Sequence, residues 1–171
     1  MILIIDLNED PLSYFEFVRP IENIMKRSSL KFKTVNYKKI TKKHLQNSEK
    51  IILTGTSIKN NKYLKHDFSY LRNYKNPVLG ICAGAEIISL TFGGKLKKLT
   101  EIGITKLKPN KLNITNVYSL HNLSITPPEG FKIILKSDKC PQTIKKGNIT
   151  CHQFHPEVLN EGLIADFSKN L

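Results

Sequence analysis

The chain has 171 residues, of which 40% are hydrophobic and 24% are charged. This balance excludes a disordered chain and a membrane-spanning protein, and the length predicts one domain over residues 1–171 that buries its own core. The net charge of +13 comes almost entirely from lysines spread along the chain, so we expect a solvated surface and no nucleic-acid partner.

The longest apolar runs, residues 1–5 and 51–53, fall far short of the ~20 residues that cross a bilayer. The N-terminal run has no basic region before it, so we do not expect a signal peptide. A cytoplasmic protein without membrane contact is therefore expected. The cysteines, at positions 82, 140 and 151, are odd in number and lack metal-ligand spacing, so we expect no disulfide framework, metal or cofactor.

Strands and helices are predicted to alternate over the first 94 residues. Short apolar runs predict buried strands, and apolar positions at helical spacing predict the helices between them. The predicted strands are 1–6, 33–37, 49–55 and 77–81; the predicted helices are 12–28 with a boundary or kink at Pro20, 40–47, 63–74 and 83–92. Such alternation is typical of a parallel sheet with helices on both faces.

After Gly94 the pattern changes to short alternating segments separated by Pro, Gly and Asn turns. Residues 105–108, 113–118, 132–136 and 148–154 predict an antiparallel extension, and a final helix is predicted over 161–169. The predicted fold class is α/β, with a mostly parallel open sheet, helices on both faces and a small antiparallel extension.

The segment PVLGICAGAEIIS places Cys82 in a Gly-x-Cys-x-Gly pattern between a buried strand and a helix. This is the arrangement of a nucleophile elbow, in which small neighbours permit a sharp turn and substrate access. The following helix N-terminus is expected to lower the pKa of the thiol and to offer backbone N–H groups to an oxyanion. A buried structural cysteine between two packing glycines remains the alternative.

A second segment, CHQFHPEV, supplies the groups that a nucleophilic thiol needs. His155 is a candidate base and Glu157 a candidate group to orient it, with Pro156 fixing the backbone between them. Taken alone, this tripeptide would be more typical of an exposed turn.

Together the two segments resemble those of the class I glutamine amidotransferases, and most strongly the separate amidotransferase subunits of GMP synthases. The resemblance extends from the first strand ending in Asp6, through EKIILTG, to QFHPE. It implies a flavodoxin-like fold and hydrolysis of L-glutamine to glutamate and ammonia, with Cys82 as nucleophile, His155 as base and acid, and Glu157 orienting His155. Ammonia would pass to an ATP-dependent synthetase on a separate chain, in GMP synthesis from XMP.

The resemblance also implies roles around the triad. Ala83 and Gly55 would give oxyanion donors, Gly84 would allow close approach, and Glu86 would hold glutamine. Two departures stand out. The family's two glycines before a proline are replaced by Thr54-Gly55-Thr56-Ser57, and the Ser-His cluster before the PEGF segment is replaced by YSLHNL, which leaves Ser119 as a candidate glutamine-binding residue.

Several functions stay open at this point. They are an amidotransferase serving another acceptor, a γ-glutamyl hydrolase or amidase with the same triad, and a regulator that has lost productive geometry at residues 54–57. A role for His121 in substrate contact, or for the lysines at 95, 97 and 98 in docking a synthetase, is the less favoured interpretation of those residues.

Overall fold

The computed structural model describes residues 1–169. Within them, seven strands form a central sheet and two more form a separate small sheet. The strands are β1 (Ile2–Asp6), β2 (Phe32–Asn36), β3 (Lys50–Leu53), β4 (Val78–Ile81), β5 (Lys95–Lys106), β6 (Asn116–Thr126), β7 (Lys132–Lys136), β8 (Pro141–Lys146) and β9 (Ile149–His152). The helices are α1 (Pro11–Phe17), α2 (Arg19–Arg27), α3 (Lys42–Gln46), α4 (Ala83–Thr91), α5 (Pro156–Leu159) and α6 (Gly162–Lys169).

The large sheet has the order β2-β1-β3-β4-β9-β8-β7. Its first five strands are parallel, with Ile4 of β1 opposite Thr34 of β2 and Ile52 of β3. β8 and β7 add to it in antiparallel fashion. The expected mostly parallel sheet is confirmed. However, the predicted segment 148–154 belongs to the main sheet, because β9 runs parallel to β4.

Alternate residues of the first strand pack on opposite faces of the sheet, as the pleat requires. Leu3 and Ile5 join a core that includes Ile87 and Ile88 of α4, whereas Ile2 and Ile4 join a second core. The other members of that second core come from α2, α6, β3 and β4, together with Val18 and Cys82. Burial on both faces explains why the strand reads as a continuous apolar run, and it confirms helices on both faces.

The N-terminal helical stretch is two helices rather than one. Asp10 caps α1 by accepting a hydrogen bond from the Ser13 N–H at 2.9 Å, with Pro11 at the first helical position. The break falls at Val18, two residues before Pro20, as the predicted boundary indicated. In this way α2 is positioned to cover one face of the sheet.

The predicted helix over residues 63–74 is wrong. The structure has two short 3-10 helices, Lys62–Lys65 and Ser69–Arg72, separated at Asp67. The Asp67 carboxylate accepts hydrogen bonds from the N–H and the hydroxyl of Ser69. This local bonding competes with helix formation and ends the regular periodicity.

The antiparallel extension is larger than expected, because β5 and β6 form a long two-stranded sheet of their own. Its pairing is irregular between Lys98 and Glu101, where β5 carries one more residue than the facing part of β6. Contacts with α4 place this sheet beside the helix that follows Cys82. Over the described residues, no helix has the length and apolar character to cross a membrane.

Candidate active site

Cys82 occupies a strained turn between β4 and α4. Its φ of 47° and ψ of −102° are unusual for a non-glycine residue, and its N–H donates to the His152 carbonyl at 2.7 Å. At Gly84, a Cβ atom would lie 2.5 Å from the Leu53 carbonyl oxygen, so only glycine fits there. The structure thus builds the sharp turn that the Gly-x-Cys-x-Gly pattern predicts.

His155 and Glu157 lie at the start of α5, directly after β9. The Nδ1 atom of His155 is 2.7 Å from Oε1 of Glu157, and both side chains are buried. The His155 N–H donates to the Tyr118 carbonyl at 2.8 Å, and the ring contacts Phe17. Nε2 forms no hydrogen bond of good geometry among the described residues, and the imidazole interacts with the Cys82 thiol. The imidazole is therefore held by one nitrogen, while the other stays available.

The electrostatics of the pair are set by burial and by their mutual interaction. Burial opposes protonation of His155, but the Glu157 carboxylate and the Cys82 thiol together raise its pKa well above the ordinary value. Burial raises the pKa of Cys82, and the interaction with His155 only partly offsets this. The structure therefore raises the pKa of this thiol instead of lowering it as expected, because desolvation exceeds the stabilisation of the thiolate by His155.

A cleft of about 460 Å³ opens over the thiol. Cys82, Ala83 and Glu86 form one wall. The remaining walls come from Thr56, Ser57, Ile58, Asn60 and Asn61 after β3, from Tyr63 and Leu64, from Lys98 and Thr100 of β5, and from Leu120, His121, Asn122 and Leu123 of β6. The volume is typical of a small-molecule site.

Glu86 is buried in the cleft wall and accepts a short hydrogen bond from the Tyr63 hydroxyl. Burial raises the pKa of this carboxyl to about 7, although Tyr63, Gln153 and the charge of His155 act in the opposite direction. The side chain is thus poised to ionise near neutral pH. It lines the same cavity as Cys82, and its role in holding substrate stays a prediction.

The loop after β3 does not place Gly55 in the cleft lining. A Cβ atom at Gly55 would lie 2.5 Å from Cε1 of His155, so this glycine lets the loop pack against the imidazole. Thr56 and Ser57 face the cleft instead. Asn60 holds this loop in place by donating to the Leu7 carbonyl and to the Thr56 hydroxyl.

Two further sequence candidates lie outside the cleft lining. Gly84 packs against β3, and its N–H donates to the Thr54 carbonyl at 3.2 Å, so that donor is already used within the fold. Ser119 is fully buried in β6, and its hydroxyl has no partner among the described residues. Ala83 does line the cleft, and its N–H, in the first turn of α4, has no carbonyl of its own helix to bind.

Sequence reasoning missed several residues of the cleft. Tyr63 was placed only at the start of a predicted helix, and Lys98 in a lysine cluster expected to face solvent, yet both line the cavity. Asn122 links the two walls by donating to the Ile58 carbonyl at 3.2 Å. No local pattern marks these residues, since their neighbours in the cleft lie far apart in the chain.

The remaining cysteines and histidines differ in their surroundings. Cys151 is fully buried in the core, and the buried His152 contacts the Thr143 hydroxyl at 2.8 Å. Cys140 lies at a bend just before β8 and is buried. Its thiol lies 3.3 Å from an oxygen of Glu101, which also lies 3.3 Å from His121 Nε2.

A known protein family matches most of the chain. The family model for glutamine amidotransferase class-I matches residues 13–163. A glutamine-hydrolysing GMP synthase subunit of Methanosphaera stadtmanae is 38% identical over 100 residues, which are 50% of this chain and 54% of that protein. The anthranilate synthase component 2 of Archaeoglobus fulgidus is 37% identical over 99 residues, with 50% and 54% covered.

Solved structures show the same fold. A Thermoplasma acidophilum protein provisionally assigned as a GMP synthase subunit superposes with a TM-score of 0.80 at 23% identity, covering 96% of this chain and 88% of that one. A glutamine amidotransferase from Thermotoga maritima gives a TM-score of 0.72 at 17% identity, with 91% and 76% covered. The chain spans about a fifth to about half of the curated relatives it matches first. By the extent of the family match, the chain belongs to the class I glutamine amidotransferases.

Proposed function

We propose that this chain hydrolyses the side-chain amide of L-glutamine, releasing glutamate and ammonia through a thioester on Cys82. One observation carries the proposal. A cysteine on a strained strand-to-helix turn opens into a cleft, beside a buried imidazole that Glu157 holds at 2.7 Å. These are the parts that nucleophilic catalysis by a thiol requires.

In the first half of the reaction, Nε2 of His155 takes the proton of the Cys82 thiol. The thiolate attacks the amide carbon, and the proton then moves from His155 to the leaving nitrogen, so that ammonia departs and the sulfur–carbon bond of the thioester remains. In the second half, His155 takes a proton from water as the water attacks. The sulfur–carbon bond breaks, the Cys82 thiolate leaves and takes the proton back from His155, and free glutamate remains.

The cleft supplies the groups that this sequence of steps needs. The Ala83 N–H is aimed from a helix N-terminus, where it would stabilise the oxyanion, and a backbone N–H of the loop at residues 55–57 would give a second donor. The Glu86 carboxylate would bind the α-ammonium of glutamine, which fits a buried acid at one side of the cavity. The thiol, the oxyanion donors and the carboxylate together would fix both ends of the substrate.

We further propose that residues 1–171 act as one amidotransferase domain and deliver ammonia to an ATP-dependent synthetase on another chain. GMP synthesis from XMP, in the cytoplasm, is the preferred pathway. Similarity to the glutamine-hydrolysing GMP synthase subunits of Methanosphaera stadtmanae and Methanocaldococcus jannaschii, at 38% and 33% identity, supports this choice. The shared segment covers about half of each protein, so the acceptor needs its own experiment.

A different acceptor is the second candidate. The similarity to an anthranilate synthase component 2 is nearly as high, at 37% identity over 99 residues. An amidotransferase of this family can therefore resemble the present chain while serving another synthetase. The replaced loop at residues 54–57 and the segment around Ser119 are where acceptor-specific contacts would differ.

The test is ammonia release from L-glutamine by the full chain, with and without a GMP synthetase subunit, XMP and ATP. Cys82→Ala is measured in parallel. Stimulation by the synthetase that is absent in Cys82→Ala is the expected result. Turnover that ignores the synthetase would contradict the GMP assignment and indicate another acceptor or a γ-glutamyl hydrolase. Absence of turnover from a folded chain under both conditions would contradict the proposed reaction.

A further inference from the structure

Beside the cleft lies a second cluster of buried polar side chains, made of Glu101, His121 and Cys140. Their donor atoms, one from each residue, all lie within 4.8 Å of one another. Within residues 1–169, this is the one group of three or more His, Cys, Asp or Glu side chains with such spacing. The triad proposed above does not use it, and the spacing of the cysteines in the sequence did not predict it.

The position of Glu101 is unusual for its strand. It is the only buried residue of β5, and the irregular pairing after Lys98 places it opposite His121 of β6. Burying a carboxylate costs free energy, so its oxygens need hydrogen bonds or a positive charge nearby. Glu101 accepts hydrogen bonds from the Ser137 hydroxyl at 3.0 Å and from Nε2 of Gln142 at 2.6 Å. In the described part of the chain, no lysine or arginine forms an ion pair with it.

Two potential ligand atoms converge on one oxygen of this carboxylate. Nε2 of His121 and Sγ of Cys140 each lie 3.3 Å from Oε2 of Glu101. The His121 side chain is fully buried, and its Nε2 faces Glu101 as an ion pair, but among the described residues neither ring nitrogen forms a hydrogen bond of good geometry. The Leu99 and Leu123 backbones also interact with the ring. Nearby, Oε1 of Gln142 is also buried without a partner. His121 and Cys140 therefore direct a nitrogen and a sulfur toward the same carboxylate oxygen, and the Gln142 carbonyl oxygen beside them has no donor within residues 1–169.

We propose that Glu101, His121 and Cys140 bind a divalent transition-metal ion of the zinc class. Oxygen, imidazole nitrogen and thiolate sulfur are ligands that zinc accepts at 2.0–2.3 Å, which places tetrahedral ligand atoms about 3.3–3.6 Å apart. The two separations of 3.3 Å fit that geometry. Water, or Oε1 of Gln142 after a half-turn of the amide, would complete the tetrahedron.

The ion would join parts of the chain that belong to two different sheets. Glu101 and His121 come from β5 and β6, whereas Cys140 precedes β8 of the large sheet. An adjoining cavity of about 290 Å³, lined by Glu101 and Ser137, gives a path for entry. Binding converts the Cys140 thiol to a thiolate and releases its proton to solvent. Because His121 and Leu120 line the cleft, the ion would also fix the wall that faces Cys82.

The test uses the full chain with Cys82→Ala, so that the nucleophile cannot bind metal, and cobalt(II) as the probe. We expect one ion per chain, thiolate-to-cobalt charge-transfer absorption, and loss of that absorption when zinc is added. The matched pair is Cys140→Ser against Cys151→Ala, each in the Cys82→Ala background. Cys151→Ala should retain the absorption. Cys140→Ser should abolish it and weaken cobalt binding more than about tenfold, because even the loss of a group that only supports a metal ligand lowers the affinity by about 10–100-fold.

A second measurement keeps the proposal testable if Cys140→Ser unfolds. Zinc should raise the melting temperature of Cys82→Ala, and His121→Gln in that background should remove the increase while the metal-free protein stays folded. The proposal would be overturned by cobalt spectra that do not depend on Cys140. It would equally be overturned by a folded Cys82→Ala chain that binds neither cobalt nor zinc.

Discussion

The chain contains two buried groups made of one cysteine, one histidine and one glutamate, and their geometry differs. In the first, Glu157 contacts Nδ1 of His155 at 2.7 Å, and the other ring nitrogen forms no hydrogen bond of good geometry within the described chain. In the second, His121 and Cys140 both approach the same oxygen of Glu101 at 3.3 Å. In the first group the imidazole interacts with the carboxylate on one side and with the thiol on the other, whereas in the second the imidazole and the thiol both approach one carboxylate oxygen.

The two arrangements suit different chemistry. Proton transfer needs a base with one nitrogen oriented and the other free, next to a nucleophile that substrate can reach. Metal binding needs several donors around one centre. Cys82 lies on a strained turn in the wall of a cleft, whereas Cys140 lies at a bend before Pro141 and lines no part of that cleft. Residue types alone would not separate the two groups.

The largest effect is expected when the cysteine of the linear group is removed. Cys82→Ala should lower glutamine turnover at least about 10³-fold, because no other thiol faces the base in the described structure. Cys151→Ala is the matched control, since it removes an equally buried thiol from the core. Steady-state ammonia release measures both. Equal loss in the two variants would contradict the assignment and indicate general destabilisation.

Glu157→Gln should retain part of the activity. The nucleophile and base remain, but the imidazole loses the carboxylate that orients it and stabilises its charged form, so kcat should fall by about 10²–10⁴-fold. Glu161→Gln, which alters an exposed ion pair with Arg27, serves as the control and should leave kcat unchanged. An unchanged kcat in Glu157→Gln would show that the His155–Glu157 contact has no part in catalysis.

Gly55→Ala tests the packing of the loop against the base. The new methyl group would lie 2.5 Å from the His155 ring, so the ring or the loop must move. We expect a loss of about 1–3 kcal/mol in the free energy of unfolding and about a tenfold lower kcat. Gly162→Ala meets no atom within 4 Å and should be neutral or slightly stabilising. Chemical denaturation and turnover assays compare the two, and identical behaviour would refute the contact.

The smallest effect concerns pH. The folded-state pKa of Glu86, about 7, is raised above its ordinary value of 4.5, so its contribution to stability is present below pH 4.5 and is lost as pH rises through 7. Over the same range the carboxylate forms and KM for glutamine should fall several-fold. Glu86→Gln should flatten both pH profiles, which denaturation and steady-state kinetics would record. A KM profile that keeps its shape would exclude Glu86 as the ammonium ligand.

The parallel half of the fold could be predicted from the sequence, because its strands are buried on both faces and read as apolar runs such as ILIID. The ends of β5 and β6 could not be predicted in the same way. In β5 the burial alternates from Leu99 onward, but Ile102 and Ile104 lie on the exposed face and Glu101 is buried, so hydropathy does not mark the inward face. The predicted segment 105–108 captured only the end of this strand. The 3-10 helices at residues 62–72 were missed because Asp67 and Ser69 bond locally.

The triad candidates were found because each motif is local, with Cys82 between two glycines and His155 two residues from Glu157. The cleft was harder to predict. Residues such as Lys98 and Tyr63 come from separate elements, and only the folded chain brings them to one cavity. The same holds for Glu101 and Cys140, which are 39 positions apart. The sign of the Cys82 pKa shift also depends on tertiary burial, which no local pattern encodes.

The most direct test of the central claim is to trap the covalent intermediate. The full chain is mixed with L-glutamine, quenched in acid within the turnover time, digested and analysed by mass spectrometry. A glutamyl thioester is predicted on the peptide that carries Cys82, with none on Cys140 or Cys151. A glutamyl adduct on another cysteine, or turnover of glutamine by the Cys82→Ala chain, would contradict the account.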